Sequence, residues 1–396
     1  MIPELRQRFN QQWTPQLYTA FLQTLEAASG APAGFRCSET PLFLPKLLIE
    51  KIVRYGRELY EQLASNPDYR RASDQAIPAQ FRVPNEAEHP LFIQADFGLV
   101  REPDGGLEPK LVEIQGFPSI YGFQLALAQT YQQIYRLNES LDPNLTPFLD
   151  GLDEQGYVET LKRAILNGHA PEEVVLLEIN PFEQKTLPDF LVTQKLLGFK
   201  IACIRAVRKQ GRKLYLDGTE IKRIYNRVIV DELVRKDIQP GFQFTDDLDV
   251  EWAGHPNWFF RLSKFSLPWF RHVSVPETWF VSDLKELPEN LDEYVLKPLY
   301  SFAGLGVKIG PTREEIEAIP QRERGDFILQ RKMNFVPTID TPSGMTKAEI
   351  RIMYVRDGAE LRAMITVVRT GRGKMMGVDF NKNLDWVGAS AGFYIP

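Results

Sequence analysis

The chain has 396 residues, 43% hydrophobic and 25% charged, so two or three packed lobes are expected and disorder over most of the chain is excluded. Lys and Arg number 47 against 52 Asp and Glu, a net charge of −5, which argues against nucleic acid as the main partner while leaving room for a local basic cleft. Two cysteines, Cys37 and Cys203, exclude a disulfide scaffold, and without an apolar leader or a run near the roughly 18 residues of a membrane span the reading is a cytoplasmic, reducing setting.

In chain order, residues 4–30 predict a helix, with Leu5, Phe9, Trp13, Leu17, Phe21 and Leu25 at nearly four-residue spacing. A second helix is expected over 46–65, then a loop over Pro78 to Pro90. Leu91 to Val100 and Leu111 to Ile114 read as strands of a hairpin around Pro103-Asp-Gly-Gly106, followed by a helix over 118–136. From 155 the order becomes helix 155–167, buried strand 174–179, helix 187–197 and strand 199–204, a β-α-β pattern suited to a Rossmann-like layer with a parallel sheet. A hairpin is expected from 213–216 and 221–230 around Asp217-Gly218. The last third reads as strand 294–298, strand 307–309, helix 312–318, strand 327–330, then a strand pair 349–356 and 360–369, with an irregular glycine-rich end. Boundaries are placed near 150 and 285, giving units 1–150, 151–285 and 286–396.

Several chemistries lack their motifs. There is no HExxH, CxxC, GxSxG, Walker A or strand-linked GxGxxG, and the four histidines have no metal-ligand spacing. What remains is a set of constellations. Lys297 ends an apolar strand before the small-residue loop Ala303-Gly-Leu-Gly306. That is either a phosphate-holding loop with a lysine point charge or an ordinary hairpin. Ile328-Leu-Gln330 with Arg331 and Lys332 reads either as a linker offering backbone groups to a purine edge or as an edge strand. Asp96, Glu113 and Gln115 are hard oxygen donors that strand alternation and the hairpin turn bring together, a set suited to Mg²⁺ or to a salt bridge. Lys264 lies among aromatics, as a phosphate contact or with its stem snorkelling. Glu349 and Arg351 share a strand face near Arg369, which suits a cross-strand pair or, in a phosphoryl-transfer site, a clamp through Arg369.

Taken together, these segments resemble the ATP-grasp superfamily, in the circularly permuted order of glutathionylspermidine synthase and without an amidase domain. Asp96 and Glu113-Ile-Gln115 look like its early carboxylate motif, and Ser263 to Trp269 like its lysine-bearing helix. Val295-Leu-Lys-Pro298 with Ala303 to Val307 looks like its phosphate loop, and Ile328 to Gln330 like its purine hinge. The likeness covers about three-quarters of the chain. Two departures stand out: Gln115 replaces the family asparagine, and Gln94 replaces a family arginine expected to help hold the acid substrate or its acyl phosphate. The resemblance implies an ATP-grasp-like α/β (α+β) fold with a Rossmann-like middle layer and a small ATP-binding lobe.

It further implies a ligase that activates a small-molecule carboxylic acid as an acyl phosphate and passes it to an amine, with ATP and Mg²⁺ as cofactors and no nucleic acid or membrane partner. Asp96, Glu113 and Gln115 would hold metal. Lys264, Lys297, Ala303, Gly304, Leu305, Gly306, Gln330, Arg331 and Lys332 would bind nucleotide. Lys297 and Arg369 would be catalytic. Glu178-Ile-Asn180, Thr186, Asp189, Asn226 and Arg227 serve either the acceptor or helix-start and loop chemistry. The departures at Gln94 and Gln115 keep open a non-catalytic nucleotide-binding relic, and the aromatics from Trp258 to Phe270 a partner surface.

Overall fold

The computed structural model describes residues 1–301, 305–373, 376, 381 and 383–396, with Asp231 described by its backbone alone. A seven-stranded sheet runs Leu42–Phe43, Gly388–Phe393, Glu360–Gly371, Thr346–Asp357, Phe92–Arg101, Leu107–Gln115, with Pro337–Ile339 pairing the Thr346–Asp357 strand. Its neighbours are antiparallel except the short Leu42–Phe43 beside Gly388–Phe393.

Both faces of this sheet are covered, which is why Phe92 to Leu99 reads as a continuous buried run. One face packs Ile93, Ala95, Phe97 and Leu99 against the helix Lys46–Ala64 through Leu48, Ile52, Leu59 and their neighbours. The other carries Phe92, Met353, Val355 and Ile365 under the helix Tyr121–Ile134. Farther along that second face the side chains turn polar.

The middle layer is a four-stranded parallel sheet, Glu251–Ala253, Arg223–Asn226, Val174–Glu178, Lys200–Cys203. The small lobe is an antiparallel sheet, Thr278–Phe280, Phe327–Arg331, Tyr294–Pro298, Lys308–Ile309. Among the described residues no helix is long and apolar enough to cross a membrane.

Four local expectations need correction. The helix expected over 4–30 is two, Pro3–Gln12 and Pro15–Ser29, because Pro15 opens a new helix and Thr14 caps it by accepting from the Leu17 amide at 3.2 Å. The helix Pro67–Gln75 was not expected, although Asn66-Pro67 is a cap-and-start signal and the Asn66 side chain accepts from Asp68 and Tyr69 amides. The segment 221–230 is not one hairpin arm. Thr219–Ile221 closes the hairpin, and Arg223–Asn226 joins the parallel sheet. The glycine-rich end contains the buried strand Gly388–Phe393, which its small residues disguised.

The sheets also cross the expected divisions. Strands from 1–150 and 286–396 share the seven-stranded sheet, and Thr278–Phe280, before 285, belongs to the small lobe.

Candidate functional site

Cross-strand register builds the site. Glu113 pairs with Asp96 and Asp96 with Arg351, so these three lie in one row on one face. The next row places Gly98 beside Glu349 and Glu349 beside Arg369. On the other side Gln115 pairs with Gln94. Gly98 is needed here because a Cβ would lie 2.0 Å from the Phe335 ring, which comes over the strand as the chain returns from the small lobe.

The centre is a buried ion network. Arg351 grips Asp96 through Nε on Oδ1 and Nη2 on Oδ2, the latter at 2.7 Å, and donates from Nη1 to Gln94 Oε1 at 2.8 Å. Arg369 Nη1 donates to Asp96 Oδ2 at 2.9 Å and also to Glu349. Burial pushes the Asp96 carboxyl up, but the two guanidiniums outweigh it and hold it below the usual range. Glu349 is raised, chiefly by burial, with Arg369 opposing and Asp96 and Glu113 adding repulsion.

Two lysines join this face to the small lobe. A bulge between Asp96 and Phe97 leaves Val112 extra on the partner strand, and its carbonyl accepts from Lys297 Nζ at 3.3 Å. Lys297 Nζ also donates to Gln330 Oε1 at 2.6 Å. Burial, only partly offset by Glu113, lowers the Lys297 amine to about 8. Lys264 Nζ donates to the Ser301 carbonyl at 2.6 Å and lies 3.5 Å from Glu113 Oε2. Lys264 sits in a short 3-10 helix, Lys264–Trp269, capped by Ser263, in the segment that resembles a lysine-bearing helix. Among the described residues, the four cations Lys264, Lys297, Arg351 and Arg369 face three carboxylates, Asp96, Glu113 and Glu349, leaving one positive charge in excess. Arg369 and Glu113 keep side-chain exposures of 26% and 27%, so the cluster has an accessible edge.

The structure thus brings together Asp96, Glu113, Gln115, Lys264, Lys297 and Arg369. It places others elsewhere. Gln330 lies mid-sheet, paired with Thr278 and Val295, and its side chain anchors Lys297 and donates to Thr278 Oγ1 at 3.0 Å. Ile328 to Gln330 is therefore no open linker. The backbone amides of Arg331 and Lys332 are spent on Glu277 and Glu293 carbonyls, so these donors are not free for a purine edge. Ala303 and Gly304 lie outside the described residues. Leu305 is exposed, and Gly306, at φ +73°, sits where a Cβ would come 2.8 Å from Pro298.

In the middle layer Asp189 accepts from the amides of Ile120, Gly122 and Phe123 and from Arg227 at 2.6 Å. It caps the helix Tyr121–Ile134, whose own cap residue, Ile120, has no side chain able to do so. Asn226 hydrogen-bonds locally around Val228. Thr186 precedes the helix Leu187–Leu197 without a side-chain cap bond. Burial raises the Glu178 carboxyl to about 7.

The phosphate end of a nucleotide fits the cluster, since its lysines and Arg369 supply charge at an accessible edge. A divalent ion fits poorly. Asp96 already accepts three guanidinium bonds, and among the described residues no group of three His, Cys, Asp or Glu is placed to hold a metal. In the sequence, Arg351 is offered only as a same-face neighbour of Glu349, for a cross-strand pair or beside a clamp through Arg369. Its central position depends on register with residues 255 positions away, which no local pattern displays.

No family model matches the sequence, and no curated protein matches it. Among solved structures, a glutathione synthetase-like effector (GSS30) from Globodera pallida, in its apo form, aligns with a TM-score of 0.58 and 12% identity over 96% of this chain and 99% of that one. The chain has a glutathione synthetase-like α/β fold. That architecture is compatible with the ATP-grasp-like expectation, including the parallel middle layer and the small antiparallel lobe.

Proposed function

We propose that this protein is an ATP-dependent carboxylate–amine ligase. The supporting observation is the cation-rich cluster where the small lobe meets the seven-stranded sheet, on a glutathione synthetase-like fold. Lys264 and Lys297 would hold nucleotide phosphates as point charges, and Arg369 would stabilise the transferring group. A carboxylate oxygen of the acid attacks the γ-phosphorus and ADP leaves. The amine then attacks the acyl carbon of the acyl phosphate, loses a proton and expels phosphate. No nucleophilic side chain is needed, in keeping with the missing triad motifs; catalysis rests on positioning and charge.

The test is ADP release by purified protein against panels of small carboxylic acids and amines, with and without Mg²⁺. The expected result is acid-dependent ADP formation lost in Arg369→Ala. Nucleotide binding without ADP formation under any pairing would overturn it in favour of a second reading, a non-catalytic nucleotide-binding protein. The observation favouring that second reading is the locked Arg351–Asp96 pair.

A further inference from the structure

The three residues expected to surround a metal ion surround an arginine nitrogen. Arg351 Nη2 lies 2.7 Å from Asp96 Oδ2 and 3.7 Å from Glu113 Oε1. In the amide orientation that satisfies the guanidinium, the Gln115 oxygen lies 2.8 Å from the same Nη2 and 3.1 Å from Nη1. We propose that the Arg351 guanidinium is a built-in cation that takes the place of a divalent ion among Asp96, Glu113 and Gln115, so that the site receives anionic ligands without one.

Three observations carry this. First, Mg²⁺ needs about six oxygens near 2.0–2.1 Å around one point, and here that point is held by nitrogen donors. Second, Arg351 is itself buried and held on several sides: Asp96 takes Nε and Nη2, and Gln94 takes Nη1. Gln94 in turn donates to the Ser119 carbonyl at 2.9 Å, which fixes its oxygen toward the arginine. Third, Arg369 adds a second positive charge on Asp96 Oδ2, so a divalent ion would enter against two guanidiniums.

The two departures in the sequence then have a common reason. Gln94 and Gln115 are neutral amides whose oxygens accept from Arg351. An arginine at 94 would bring a third guanidinium into contact with it. Gln115, one methylene longer than asparagine, reaches the planar head group.

Exclusion of the ion rests on this geometry alone; metal-free uptake of nucleotide rests also on the ligase reading. The first experiment is titration with Mn²⁺ read by its electron paramagnetic resonance, on the full chain. Wild type is expected to bind no Mn²⁺ at millimolar concentration. Arg351→Met, which keeps the stem and removes the charge, is expected to gain one Mn²⁺ per chain, lost again on adding Asp96→Asn. Wild-type binding of Mn²⁺ abolished by Asp96→Asn overturns the proposal, as does a folded Arg351→Met that gains none.

The second measurement needs no variant to fold. Wild-type affinity for a non-hydrolysable ATP analogue is compared in chelator and in excess Mg²⁺, with a change of no more than about twofold expected and a gain of about tenfold or more contradicting the proposal. Absence of analogue binding in both conditions would sink the ligase reading and leave the Mn²⁺ result to decide the ion's exclusion.

Discussion

Asp96 and Asp189 are both fully buried carboxylates paired with arginine, yet their surroundings differ. Asp189 faces one guanidinium and three backbone amides at the start of a helix, and Arg227 against it is also sealed from solvent. Asp96 faces two guanidiniums within a cluster that carries one surplus positive charge and reaches solvent at Arg369 and Glu113. Burial and pairing alone therefore do not mark a site. Charge left over after pairing, with an accessible edge, does.

The largest effect is expected at Asp189. Asp189→Ala removes the cap of the helix Tyr121–Ile134 and strands Arg227, so a loss of roughly 3–5 kcal/mol in unfolding free energy is expected from urea denaturation. A loss below about 1 kcal/mol would contradict the structural role assigned to it.

Glu178, in the same layer, gives the next effect. Its folded pKa of about 7 lies above the ordinary 4.5, so between these values the native state holds a proton the unfolded chain has released. The resulting stability is fully present below about pH 4.5 and is lost as pH rises through about 7, a change of roughly 3 kcal/mol. Glu178→Gln should remove that slope between pH 5 and 8. An unchanged slope in the variant would show that other groups produce it.

Lys297 belongs to the charged cluster instead. Lys297→Met should lower affinity for an ATP analogue by about tenfold or more, at a stability cost of roughly 1–3 kcal/mol, because Gln330 Oε1 and the Val112 carbonyl lose their donor. The pH dependence has a definite sign. With the amine at about 8, charged below and neutral above, wild-type affinity for the analogue should fall between pH 7 and 9. A pH-independent affinity would remove Lys297 from the phosphate site.

Much of this was legible in the sequence, and the reasons are local. Alternation along Phe92–Arg101 and Leu107–Gln115 places Asp96 and Glu113 together, and the Asp217-Gly218 turn and the helix Leu187–Leu197 carry strong signals. The strand Gly388–Phe393 was hidden because Gly-Ala-Ser-Ala-Gly carries little strand propensity and is held by long-range pairing. The Val112 bulge and the Arg351 position were hidden for a related reason. Both arise from cross-strand register, which the sequence of one strand does not encode.

The most direct test of the central claim is thermal unfolding of wild type and Lys297→Met with and without the non-hydrolysable ATP analogue. At about 100 times its dissociation constant the analogue should add roughly 2.7 kcal/mol to wild-type stability, a clear rise in Tm, and at the same concentration about half of that or less to the variant, whose affinity is about tenfold lower or worse. No rise in wild type at millimolar analogue would contradict the claim that the surplus charge at the lobe junction is a nucleotide phosphate site.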